Sequence, residues 1–361
     1  MRFAAWAALI ALVAYLLLWP VPVEPVAWKA PAAPGYVGPL APNTRLAQFE
    51  ALTLDGLHGP EAVVVGVDGT LYASTHEGWI LRAGVNDTAL QRWVNAGGRP
   101  LGLALDAEGN LWVANAYIGL QKITPQGTVS TELSHVEGSA IRYADDLDIT
   151  TDGTIYLSDA STRFAAQDWA GTLSASLLDL NEHSRSGRII EYHPKRGARI
   201  LLEGFSFANG VALDPQGRYL LIAETGEYRV WKHWLRGPAT GKSEVIIDQL
   251  PGFPDNVHLG QNGRYWVGLT SPRSPIIDGL AEWPFVRKII QRLPDFLRPN
   301  VVHYGMVLAV DENGSVLENL QAPAGEVYAT TGVAETDDYL YVTSLTMPVL
   351  ARYQKAALAI D

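Results

Sequence analysis

The sequence predicts an all-β fold, a six-bladed β-propeller with two helical or loop insertions, on three observations. A strand–turn–strand unit recurs six times. Most copies follow one another at the roughly 40–50-residue period of propeller blades. The strand after each turn is rich in Tyr, Trp, Leu, Ile and Val, residues suited to a pleated, half-buried surface. The copies are VDGTLYA at 67–73, AEGNLWV at 107–113, TDGTIYL at 151–157, PQGRYLL at 215–221, QNGRYWV at 261–267 and a degenerate DDYLYV at 337–342. Five carry glycine in the turn, at Gly69, Gly109, Gly153, Gly217 and Gly263; the sixth carries Asp338. Successive turns lie 40, 44, 64, 46 and 75 residues apart, so the third and fifth intervals hold insertions. Similar turns occur in β-sandwiches, but six copies at near-constant spacing point to a ring of blades.

Ahead of the first unit, Arg2 precedes an unbroken apolar run, Phe3–Trp19. A bilayer span needs about 17–25 such residues. A signal peptide and an uncleaved anchor both fit that pattern. A small-x-small cleavage site is missing and a Pro-rich stretch follows, so residues 1–19 read as a transmembrane anchor. Arg2 then stays cytoplasmic and the folded part lies on the non-cytoplasmic side, periplasmic or lumenal/extracellular. Residues 20–43 contain seven prolines and read as a stiff, extended linker. The propeller is expected over 44–361.

Composition excludes several function classes. Net charge is −11 with no basic run, which argues against nucleic acid as a partner. Cysteine is absent, so disulfides, thiolate catalysis and cysteine-bound zinc are excluded. No H-x-x-x-H or G-x-S-x-G pattern occurs, so neither zincin nor serine-hydrolase chemistry is indicated.

The first insertion, residues 160–187, places Phe164, Trp169, Leu173, Leu177, Leu178 and Leu180 at roughly helical spacing. The second, 271–303, places Trp283, Val286, Ile289, Ile290 and Leu293 on one apolar face, with Pro284 near the helix start. Two readings stand: walls around a site on one face of the ring, or surface helices without a role in binding. Apolar walls suit a largely hydrophobic substrate, or a surface offered to lipid.

Eight residues before the turn glycines of four copies stand Glu61, Asp145, Asn209 and Asp255. An equal place in each repeat is an equal place in each blade, and in a closed ring four such side chains converge. Three carboxylates and an amide make a hard oxygen donor set, suited to Ca2+. The plain alternative is that these side chains cap turns. Among other polar residues, His258 lies three positions past Asp255 and points into blade packing. His303 ends the second insertion, and Tyr117 and Arg142 flank motif segments as candidate pocket linings.

Five segments in order, GRPLGLALD (98–106), LWVANAYIGL (111–120), DDLDITTDGTIYLSDAS (145–161), FANGVALD (207–214) and LPGFPDNV (250–257), resemble the strictosidine-synthase-like family. The branch they resemble is that of adipocyte plasma membrane-associated protein, within the gluconolactonase/paraoxonase superfamily. The resemblance covers roughly residues 46–353. It implies a six-bladed propeller with a central calcium, held by a Glu of the first blade, an Asn or Asp of the third, an Asn of the fourth and an Asp of the fifth. Those places fall on Glu61, Asp145, Asn209 and Asp255. Asp146 and Asn256, next in sequence, are implied as accessory ligands or supports.

Two departures narrow the function. The last-blade Glu of strictosidine synthase falls near Thr330 and Thr331, and the paraoxonase-like His pair falls on Leu101 and near Asn115 or Ala116. Alkaloid synthesis is therefore not expected. The reading is a calcium-dependent hydrolase of lactones or aryl esters, with the metal polarising the carbonyl and Asp255, or secondarily Asp146, activating water. The alternative is a non-catalytic, membrane-anchored propeller whose calcium is structural and whose face binds a ligand or partner protein.

Overall fold

The computed structural model describes residues 2–361. Each repeat becomes a four-stranded antiparallel sheet, and the six sheets are the blades. The innermost strands are Val63–Val65, Pro100–Leu105, Ala144–Ile149, Ala208–Leu213, Gly252–Leu259 and Thr330–Glu335. Each packs against the innermost strands of both neighbouring blades, so the ring is closed. The turns are built as the sequence requires. All five turn glycines have positive φ, the region where glycine carries no Cβ penalty. The sixth turn is formed without one.

The ring closes by strand exchange. Blade 6 takes its outer strand, Glu50–Thr53, from the start of the propeller, paired antiparallel to Val349–Gln354 with Glu50 opposite Arg352. Arg352 grips Glu50 through Nε and Nη2 at 2.9 and 2.7 Å, a bidentate pairing. Leu52 on this strand is fully buried. Near the axis the strands come very close. A Cβ at Gly102 would collide with Asp146, and one at Gly210 with the backbone of Asn256 and Val257.

Both insertions leave between the second and third strands of their blades, blade 3 and blade 5. In an antiparallel sheet that connection lies at the end where the innermost strand begins, which is where Asp145, Asn209 and Asp255 stand. The first insertion forms helix α2, Thr172–Glu182; the second forms α3, Pro275–Gly279, and α4, Pro284–Gln291, with Pro284 in its first turn. Proline is favoured there because its missing N–H has no intrahelical partner anyway. The apolar face expected on α4 is not its buried one. Trp283 is exposed, and the buried residue of the helix is Arg287.

Residues 20–43 are largely extended and lie along this face. Val26 N–H donates to Glu182 O at 2.8 Å and Trp28 N–H to Ala281 O at 3.2 Å, bridging the two insertions. Trp28 stacks on His183 at 4.1 Å, and Val23 is fully buried beside Leu101, Tyr143 and Phe207. Proline fixes the extended shape, but interspersed Val23, Val26 and Trp28 fix it to the propeller.

The N-terminal apolar run is helix α1, Arg2–Leu18, with no buried residue. At 1.5 Å per residue it spans about 25 Å, short of the roughly 30 Å hydrocarbon core. Among the described residues no helix is long and apolar enough to cross a membrane, so the expected transmembrane anchor is not supported. The last turn of α1 is tied to the second insertion: Tyr15 donates to Arg292 O at 3.0 Å, and Arg292 donates to Leu16 O at 3.1 Å.

Candidate metal centre

The offset that selects Glu61, Asp145, Asn209 and Asp255 selects Leu101 in blade 2 and Thr330 in blade 6. The ring thus has four oxygen-bearing positions, one apolar one and one hydroxyl. Thr330 Oγ1 is committed to Leu269 O at 2.8 Å and lies within reach of Met306. Leu101 belongs to the apolar cluster with Tyr143 and Phe207. All four candidate ligands are buried, Asp255 the least at 6% exposure.

Neighbouring groups orient these side chains. Thr225 Oγ1 donates to Pro254 O at 2.7 Å, so it can only accept from Asn209 Nδ2, at 3.2 Å. That fixes the amide with Oδ1 on the other side, where it has no partner. Asn256 Nδ2 donates to Glu61 Oε1 at 2.8 Å, again leaving Oδ1 unpartnered. Glu61 Oε2 is unpartnered too, and the backbone of Glu61 is held by Thr331 Oγ1 at 2.7 Å. Asp146 points sideways. Its Oδ2 accepts from Val211 N–H at 3.0 Å in the next blade, and Asp148 does the same for Leu213 at 2.8 Å. These two carboxylates stitch blades 3 and 4 together.

Buried polar atoms are ordinarily hydrogen-bonded. Four orphaned oxygens, on Glu61, Asp146, Asn209 and Asn256, are therefore a feature that calls for a cation. The donor chemistry fits Ca2+, which takes carboxylate and amide oxygens in irregular arrays. The set is not a preformed carboxylate cluster: among the described residues no three acidic or histidine groups are placed so that they could hold a metal ion. Two of its donors are amides.

Electrostatics shows how near these acids are to one another. Burial raises all of them. Asp145 is pushed well above the usual carboxylate range by burial and then by Asp255, Glu61 and Asp146. Asp255 is raised by burial, Glu61 and Asp146, and Asp146 by burial and then Glu61, against the hydrogen bond from Val211. Glu61 rises to about 7, chiefly through burial, with Arg99 and Asn256 opposing. Arg99 is the cation of the cluster. It is fully buried, and Glu61 is the first of the acidic groups that favour its charge.

Arg99 and Tyr143 are site residues the sequence reading passed over. Both lie in or beside segments singled out as motifs, but a glycine-based offset has no way to assign them. His258 is half-buried next to Gly332, with its pKa pushed down to about 4 by desolvation of the ring. His303 stacks on Tyr328 at 3.9 Å, and the Arg142 side chain is exposed. Asn115 is consumed by Gly97 O and Gln121.

Comparison with known proteins agrees with this architecture. The Strictosidine synthase-like, N-terminal family matches residues 38–83, and the Strictosidine synthase family matches 145–238. Adipocyte plasma membrane-associated protein of Rattus norvegicus is 30% identical, over 95% of this chain and 96% of its own length. Among solved structures, a gluconolactonase from Xanthomonas campestris superposes with a TM-score of 0.62 at 17% identity, covering 91% of this chain and 99% of its own. The calcium-binding protein regucalcin from Agrobacterium tumefaciens gives 0.58 at 15% identity, covering 86% and 92%. At such identities the structural likeness concerns the fold alone.

A pH test follows from the raised acids. With chelator present the unfolded chain releases these protons near pH 4, while the folded chain holds them. The folded state therefore binds more protons, and stability falls as pH rises from about 4 through 7. For Glu61 alone, a rise from 4.5 to about 7 corresponds to about 3 kcal/mol. Thermal melts in chelator should show Tm dropping between pH 5 and 8, and saturating Ca2+ should raise Tm most at pH 8. A Tm indifferent to Ca2+ at pH 8 would contradict this picture.

Proposed function

The chain belongs to the strictosidine-synthase-like family, in the branch of adipocyte plasma membrane-associated protein, and from that premise we propose that it is a calcium-dependent hydrolase of lactones or aryl esters. The observation that carries the reading is the set of orphaned, buried oxygens on Glu61, Asn209 and Asn256. A gluconolactonase and a calcium-binding regucalcin among its structural neighbours support it.

Glu61, Asp145, Asn209 and Asp255 would hold the ion, with Asn256 Oδ1 as the accessory ligand. When bound, Ca2+ supplies polarisation of the substrate carbonyl and charge to balance the developing oxyanion. Asp255 is the better placed of the two candidate bases. It is the most exposed member of the ring, so a water at the mouth reaches it, whereas one oxygen of Asp146 is occupied by Val211 N–H. Asn209 lies near enough to Asp255 to favour its ionised form against the effect of burial. A metal-bound carboxylate is a weak base, which matches strained lactones and activated aryl esters and not amides. The charge of Arg99 opposes the rise that burial imposes on Glu61. The apolar cluster of Leu101, Tyr143 and Phe207 excludes water from one side of the site, and it favours an apolar acyl or aryl group there.

The proposal includes a membrane. The relatives are named for membrane association. Helix α1 has an apolar surface with nothing buried, and the insertion it touches exposes Trp283, Phe285, Phe296 and Leu297, Phe296 at 84%. Exposed aromatic and aliphatic residues grouped in this way mark an interaction site.

Turnover of aryl acetates and a lactone panel should be abolished by chelator and restored by Ca2+. Asp255→Ala should reduce kcat by at least about 100-fold while the variant still folds. A folded, calcium-loaded wild type that is inert on every ester and lactone would refute the hydrolase reading in favour of a structural ion. For the membrane, the full-length chain should co-sediment with phosphatidylcholine vesicles, and deletion of residues 2–18 should weaken this several-fold. A full-length chain that stays in the supernatant would rule the association out.

A further inference from the structure

On the same face lies a cavity of about 360 Å³ between α2 and the second insertion, a volume typical of small-molecule sites. None of the candidate metal ligands lines it. Leu173 and Leu177 form one wall, and Ile277, Leu280 and Ile290 the other. The lining also carries Asn181, Gln291, Asn300 and the Asp295–Arg298 ion pair, and set into it is Arg287, only 3% exposed. Its Nη1 donates to Asn181 O at 3.0 Å and its Nη2 to Val26 O, both neutral carbonyls. Its Nε has no partner.

No carboxylate answers this guanidinium. Burial alone accounts for its pKa falling to about 10. Asp179 of α2 turns its Oδ2 to Ser161 and Ser186 and makes no ion pair with Arg287, and the other acids of the surrounding elements are committed elsewhere. Glu182 takes Arg163 and the Glu24 N–H, Glu24 takes Lys288, Asp278 takes Arg273 and Tyr228, Asp295 takes Arg298, and Glu227 takes His183 and Arg185. A buried charge is tolerated when it is paired, and here the pairing group is missing from the chain. The free Nε is a charged donor inside an apolar chamber, which is what a carboxylate with an alkyl tail would complete.

We propose that this cavity binds an alkyl carboxylate, its headgroup on Arg287 and its chain between Leu173, Leu177 and Leu280. The cavity is too small for a two-chain lipid. It lies beside exposed Ile276, Phe296 and Leu297, a route by which a single-chain amphiphile arrives from a lipid surface. The site does not depend on the calcium reading.

Titration calorimetry of the full-length chain with octanoate, and with octanol as the uncharged control, tests this. Octanoate should bind at one site at least about ten-fold tighter than octanol, the increment of a charge-assisted hydrogen bond. Arg287→Gln keeps a donor for one carbonyl and removes the charge, and should bring octanoate down to the affinity of octanol. Leu177→Trp fills the chamber without touching Arg287 and should abolish binding of both. Equal affinity of octanoate and octanol for the wild type, unaltered octanoate binding by Leu177→Trp, or loss of octanoate binding on adding chelator would each overturn the proposal, the last because it puts the carboxylate on the metal centre instead.

Discussion

The molecule is organised around a concentration of like charge at its axis. Glu61, Asp145, Asp146 and Asp255 are buried close enough for each to disturb the ionisation of others, and Arg99 is the cation set against them. Such a cluster is unstable in isolation, since burial and mutual repulsion both penalise the ionised forms. It persists because the blades hold its members from outside. Val211 fixes Asp146 and Thr331 fixes the Glu61 backbone from neighbouring blades, Asn256 holds the Glu61 carboxylate from across the ring, and Thr225 orients Asn209 within its own blade. The ring in turn is held shut by the Glu50–Thr53 strand. A cation at the centre would convert repulsion into cohesion, and the orphaned oxygens are where it would find its ligands.

What builds chemistry on this frame is asymmetry. The same position in six blades holds Glu, Leu, Asp, Asn, Asp and Thr. Thr330 spends its hydroxyl on backbone carbonyls, and Leu101 turns one side of the centre apolar. The two insertions rise on that face because they leave at the end of the blade where the innermost strand starts. Residues 20–43 then lie across both insertions, with Val23 and Trp28 as the buried anchors. The outcome is a candidate metal centre roofed by apolar structure, with a second, chemically separate chamber around Arg287.

Much of this was legible in the chain before any coordinates. The repeat period gave away the blades, because each repeat must bury itself against its neighbours. The fixed offset picked out Glu61, Asp145, Asn209 and Asp255, because equivalent positions in a ring face the same axis. Other features are set by contacts that no period records. Arg99 is buried with its Nη1 on Gly59 O, forty residues away in the chain, and Arg287 is buried by elements far away in sequence. Helix α4 shows the limit well: its apolar residues mark a face that the structure leaves partly exposed, while an arginine turns inward. The Pro-rich stretch reads correctly as extended, but where an extended segment lies depends on the surface it meets. Length and hydropathy suggested a membrane span for the first helix, but at about 25 Å it is shorter than the roughly 30 Å hydrocarbon core.

The most direct measurement is a crystal structure of the protein grown with Ca2+ and phased with the anomalous signal of the ion. The account predicts one calcium on the propeller axis, bonded at about 2.3–2.6 Å to Glu61, Asp145, Asn209 and Asp255, with Asn256 Oδ1 in or next to the shell. An axis occupied only by water, with Glu61 Oε2 and Asn209 Oδ1 hydrogen-bonded to it, would contradict the claim.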